Sequence, residues 1–97
     1  MRPTATVTVR TGRVHWRDVT ALVRRIDAPP GRCTLTLDAA RVRARKGLET
    51  GAQRATTRWR VTWAHTAAGV VEGDTSRAEW RGDALVITLA NVETRAA

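Results

Sequence analysis

Ninety-seven residues with a hydrophobic fraction of 42% make one small domain, 1–97, whose modest core leaves each large side chain important. The formal net charge of +8, carried by sixteen Arg and one Lys, implies an anionic neighbour: nucleic acid, an acidic protein surface or, less often, a membrane. Cys33 stands alone, which excludes an internal disulfide, and no apolar run of about 18 residues exists to span a membrane as a helix.

The opening Met1-Arg2-Pro3-Thr4 leads into alternating Thr and Val, so no secretory signal is expected, and a lone Cys fits synthesis in a reducing cytoplasm. Residues 4–16 read as a hairpin: Ala5, Val7 and Val9 face inward, Thr11-Gly12-Arg13 turns, and Val14 and Trp16 return to the inner face. Residues 17–26 are ambiguous. Val19, Leu22, Val23 and Ile26 recur at helical spacing behind Asp18, a candidate cap, yet one helical turn followed by a strand from Val23 to Asp27 fits as well and is favoured. Pro29 and Pro30 then end any regular element.

Residues 32–39 form a strand with Cys33, Leu35, Leu37 and Ala39 inward. Residues 41–46 also alternate and are read as a strand with a cationic outer face, followed by a loop from Gly47 to Gly51. The central strand is 56–64: Thr57, Trp59, Val61 and Trp63 share one face, and Arg58, Arg60 and Thr62 the other. With no Phe or Tyr in the chain, Trp59 and Trp63 are expected to anchor the core. A turn at His65–Gly69 follows, then a less regular stretch from Val70 to Trp80, interrupted at Gly73-Asp74-Thr75. Arg81-Gly82-Asp83-Ala84 reads as a tight hairpin turn; the Arg-Gly-Asp tripeptide is explained by that geometry rather than by recognition. Leu85, Ile87 and Leu89 share a face of the last strand, with Val86 opposite, and Asn91 to Ala97 is read as polar and loose at its end. Six to eight short strands with turns every eight to twelve residues or so predict an all-β fold: a small antiparallel barrel or sandwich with at most one short helix, near 18–26. Its predicted core is Trp16, Leu35, Leu37, Trp59, Val61, Trp63, Trp80, Leu85, Ile87 and Leu89.

Catalysis needs a nucleophile, an acid–base pair or a metal held close together. Here Ser76 is the only Ser, Cys33 faces inward, His15 and His65 lack metal-binding spacing, and Glu72 with Asp74 reads as a solvated loop. No enzyme activity, metal, cofactor or small-molecule substrate is expected. The candidate site is instead cationic: Arg41, Arg43 and Arg45 would project about 7 Å apart from one strand, beside Lys46 and across a loop from Arg54, Arg58 and Arg60. Paired as a hairpin, these segments would offer phosphates or carboxylates one arginine-covered face, although the tryptophans expected of a single-strand binder point the other way.

Trp16-Arg17-Asp18-Val19-Thr20, then Val23, the break at Pro30-Gly31 and Thr34-Leu35-Thr36-Leu37-Asp38 together resemble a β-module of bacteriophage distal-tail, hub and minor tail proteins. The resemblance runs over residues 6–40. It implies a non-catalytic barrel or sandwich that forms homo-oligomeric rings around a tail axis, made in the bacterial cytoplasm and finally located in a virion or phage-like particle. It would set the arginines against adjacent subunits or near DNA. The expectation is therefore a structural protein of the tail, baseplate or head–tail junction; a small monomeric nucleic-acid-binding barrel of OB or SH3-like type is the alternative.

Overall fold

Period-two patterning produces seven strands: β1 (Ala5–Arg10), β2 (Arg17–Asp18), β3 (Val23–Asp27), β4 (Thr34–Asp38), β5 (Arg58–Trp63), β6 (Val70–Arg81) and β7 (Ala84–Arg95). In the computed structural model, which describes residues 5–11, 15–63 and 69–95, they pair antiparallel in one sheet of order β2-β1-β5-β6-β7-β4-β3. The expected turn at Gly12-Arg13, the inward Val14, and Ala64 through Ala68, His65 included, lie outside the described residues.

The two ends of this strand order are neighbours in the sequence. Only residues 19–22 join β2 to β3, so the sheet must curl until its opposite edges nearly meet, giving a half-barrel. The link is a single 3-10 turn, Thr20–Leu22, entering β3 at Val23, which is the favoured reading of that ambiguous stretch. Asp18 Oδ1 accepts the Thr20 amide at 2.9 Å. Thr20 Oγ1 accepts the Val7 amide at 2.9 Å, and Val7 O accepts the Val19 amide at 2.8 Å. The link thus satisfies the edge of β1 where β2 has stopped pairing with it.

Val7, Val9, Leu35, Leu37, Trp59, Val61, Leu85 and Ile87 are fully buried inside the curl, and Leu89 nearly so. Trp59 is the largest of them, and its ring nitrogen donates to Thr75 Oγ1 at 2.7 Å, which in turn donates to Ala52 O at 3.0 Å. Truncating so large a buried ring costs about 3–5 kcal/mol. Trp63 and Trp80 are half-buried against the same core. Trp16 departs from expectation: it belongs to neither the core nor the side chains packed on it, and lies outside the sheet among guanidinium groups.

The expected strand at 41–46 is instead helical. Asp38 caps α1 (Ala39–Ala44), its Oδ1 accepting the Arg41 amide at 3.1 Å. Ala39 and Val42, three residues apart, bury one face of that turn, which alternation cannot do. The expected loop between Gly47 and Gly51 holds a second short helix, α2 (Leu48–Ala52), entered through Gly47 at φ +80° and fixed by buried Leu48 and Ala52. The two α-helices therefore lie after β4, outside the 18–26 region.

Strand β6 is continuous through Gly73-Asp74-Thr75, because the irregularity is absorbed as bulges. Three residues of β6, Glu72 to Asp74, face four of β7, Glu93 to Ala90, and Asn91 in that bulge takes φ +53°. A Cβ at Gly73 would stand 2.9 Å from Leu89 Cβ and 3.0 Å from Ala90 O. Ser76 is the extra residue of a second bulge. The polar stretch from Asn91 continues β7, which pairs with β6 as far as Arg95; Ala96 and Ala97, the end expected to be loose, lie outside the described residues.

Candidate functional site

The fold divides the seven predicted cations between two surfaces. Arg58 and Arg60 point away from Trp59 on the outer face of β5, as the alternation predicts. Arg41 and Arg43 lie on α1, Arg45 and Lys46 at its end, and Arg54 after α2. No hairpin joins 41–46 to 54–60, so the single arginine face expected from the sequence does not form.

On the outer face of β5, β6 and β7 the strand register brings Arg60 opposite Glu72 and Arg58 opposite Asp74. Arg58 spreads its fork over three carboxylates: Nε to Glu72 at 2.9 Å, Nη1 to Asp74 at 3.0 Å and Nη2 to Glu93 at 3.3 Å. Glu72 also accepts from Arg60 at 2.5 Å and from Arg95 at 3.1 Å. Its side chain is 7% exposed. Burial by itself would raise its carboxyl, but hydrogen bonds from Arg60, Arg58 and Arg95 outweigh that and bring it down to about 2. Three guanidiniums face three carboxylates here, so this part of the sheet is close to neutral and offers phosphates no excess charge. Glu72 and Asp74, expected in a solvated loop, are strand residues of β6. Their spacing of two matches that of Arg58 and Arg60, and that is the sequence signal for the cluster.

A second ion group ties the hairpin tip to the sheet edge. Arg24 is the extra residue of a bulge in β3, and its guanidinium reaches Asp38 at 2.8 Å and Asp83 at 3.0 Å. Arg24 holds both carboxyls below the usual range. Gly82-Asp83 forms the expected two-residue turn between Arg81 and Ala84, with Gly82 at φ +58°.

Of the remaining predicted cations, Arg45 and Lys46 meet β2, Arg41 meets the 3-10 turn after it, and Arg43 and Arg54 lie elsewhere. Arg45 donates to Asp18 O at 3.2 Å, Arg41 to Ala21 O at 2.7 Å, and Arg17 to Lys46 O at 3.4 Å. Arg10 and Arg60 lie 5.0 and 4.1 Å from the centre of the half-exposed Trp16 ring. Arg43 stacks on Trp80 at 4.4 Å and pairs with Glu49 at 3.5 Å, while Arg54 is exposed on its own.

Where β3 diverges from β1 the half-barrel stays open. A cleft of about 740 Å³ lies there, lined by Ala5, Val7, Ile26, Arg25, Arg41 and Trp63 among others. A more apolar groove of about 580 Å³ runs on the other side of Trp63, against Pro29, Pro30 and Val71. Cys33 is buried, and burial first, with Asp27 adding, pushes its thiol up to about 11. Among the described residues no three His, Cys, Asp or Glu side chains come together as metal ligands, and no helix is long and apolar enough to cross a membrane. No family model, curated protein or solved structure matches the chain.

Proposed function

We propose that this chain is a non-catalytic structural subunit of a phage-like particle, at the tail, baseplate or head–tail junction, held in a homo-oligomeric ring by contacts with its neighbours. The observation that carries the reading is the unfinished closure of the sheet. β3 keeps one edge unpaired beside a cleft into which the half-exposed Trp63 projects. A free edge next to apolar surface is an aggregation hazard in a lone monomer, and a closed ring of identical subunits covers such edges on every copy. The likeness of residues 6–40 to the tail module supplies the biological setting: synthesis in the bacterial cytoplasm and a final place in the particle.

Light scattering on the purified chain, alone and mixed with the other proteins of its particle, tests this. A closed oligomer, or entry into a larger assembly, is expected, and Trp63→Ser is expected to weaken it. A chain that stays strictly monomeric under both conditions would refute the proposal.

A further inference from the structure

Positive charge is distributed unevenly over the molecule. Seven of the nine carboxylates are engaged in ion pairs, and none of those pairs involves Arg10, Arg17, Arg41, Arg45 or Lys46. These five cations gather at one corner, around the two-residue edge strand β2 and the turn between α1 and α2. Val9 of β1 pairs with Arg17, which places Arg10 beside it, and the carbonyl contacts of Arg17, Arg41 and Arg45 tie the helical segment to the link that follows β2. The carboxylates beside them are Asp18, already accepting from Thr20, and Asp38, which caps α1 and pairs with Arg24. Five cations in no ion pair against Asp18 leave +4 of the chain's net +8 here, and Arg60 at Trp16 joins this corner to the balanced face of β5–β7.

Two further features distinguish this corner from a merely solvated basic patch. Arg17, Arg41 and Arg45 each give one nitrogen to a main-chain oxygen, which fixes the direction of the guanidinium while its other donors stay available. Trp16 lies on the same surface, half-exposed, with the Arg60 and Arg10 guanidiniums 4.1 and 5.0 Å from its ring centre and its ring nitrogen without an acceptor among the described residues. Cations with free donors, plus an indole stacked with guanidiniums among them, suit a phosphodiester chain carrying bases that can stack. An acidic polypeptide would satisfy the cations but would make no use of the indole.

We propose that this corner binds the backbone of a single-stranded nucleic acid, with Arg17, Arg45 and Lys46 on phosphates and a base against the stack that Trp16 forms with Arg10 and Arg60. The proposal is independent of the assembly role, since it requires only the folded chain.

The test is fluorescence anisotropy of a labelled oligo-dT against the full chain over a salt series, with polyglutamate as competitor. Affinity should fall steeply with salt. Lys46→Gln and Arg45→Gln should each flatten the log–log slope by about 0.7. Trp16→Leu should weaken binding about tenfold and leave the slope unchanged. Arg32→Gln and Arg77→Gln, on other surfaces, should change the slope far less. Lys46 makes no side-chain hydrogen bond among the described residues, so its variant remains informative even if others are destabilised. Absent binding at low salt would overturn the proposal, as would equal losses in corner and control variants. Polyglutamate displacing the oligonucleotide at equal charge concentration, with Trp16→Leu silent, would assign the surface to an acidic protein instead.

Discussion

Glu72 carries the strongest electrostatic commitment in the fold, and replacing it by Gln tests that commitment with little change in shape. The substitution keeps the packing but removes the charge that Arg58, Arg60 and Arg95 all address. A carboxyl brought from an ordinary 4.5 to about 2 corresponds to about 3 kcal/mol of preference for the ionised form. Arg60 is 33% exposed and Arg95 49%, so water shares part of their interaction, and the expected loss is about 2 kcal/mol. In a domain of this length that lowers the melting temperature by about 8–16 °C. The folded-state pKa is depressed, so the stabilisation is fully present above the unfolded value near 4.5 and is lost as pH falls from there towards about 2. Urea unfolding followed by tryptophan fluorescence, run on both proteins from pH 7 to pH 2, reads the difference directly. The gap should hold above pH 5 and close near pH 2. A gap below about 0.5 kcal/mol at neutral pH, or one that does not vary with pH, would show that the three guanidiniums are solvated rather than bound to Glu72.

Thr20→Val should cost about 1–3 kcal/mol in the same assay, because it strips the acceptor from the Val7 amide at the sheet edge. Gly73→Ala should destabilise by about 1–3 kcal/mol, since the new methyl meets Leu89 Cβ and the Ala90 carbonyl with little room to yield. Cys33 should resist a thiol reagent at pH 8 in the native protein and react at once in denaturant, because burial keeps the thiol neutral and enclosed. Fast native labelling would contradict the inward placement of β4.

The strands were legible where alternation had a sharp contrast of residue types. Thr34–Asp38 and Arg58–Trp63 alternate buried or half-buried aliphatic and indole side chains with polar ones, and the fold places them accordingly. The hairpin at Gly82-Asp83 was legible because glycine is needed at positive φ. Alternation misled at Arg41–Lys46, where Arg-Val-Arg-Ala-Arg satisfies a period of two as well as one turn of helix. The deciding residues were Asp38 as cap and the spacing of Ala39 to Val42, and neither outweighs a run of alternating charge when read alone. The carboxylate partners of Arg58 and Arg60 escaped notice for a different reason. They are set by the register between β5 and β6, which depends on packing across the whole sheet. Trp16 was assigned to the core on the same logic as Trp59, but it immediately precedes a two-residue edge strand, where too little sheet remains to cover a ring.

The residues on which the proposed kinship with a tail module rests are, for the most part, occupied in folding. Asp18 fixes the turn, Val19 and Thr20 complete the edge of β1, Leu22 enters the core, and Leu35 and Leu37 line it. Together they carry the chain from one edge of the sheet to the other, and that crossing obliges a seven-stranded sheet to curl. A substitution among them therefore changes shape and stability before it changes any contact with a partner. On the two proposals above, recognition would fall to the surfaces those residues leave free: the open seam at Trp63 and the cationic corner at β2. The two adjoin at the 3-10 turn, whose Ala21 carbonyl holds Arg41 on the wall of the cleft, but Trp63 belongs to the seam and Lys46 to the corner. Variants at Trp63 should thus alter association without changing the salt dependence of polyanion binding, and Lys46→Gln should do the reverse. If both kinds of variant moved both readouts together, the two surfaces would have to be one, and the division of roles drawn from the charge distribution would fail.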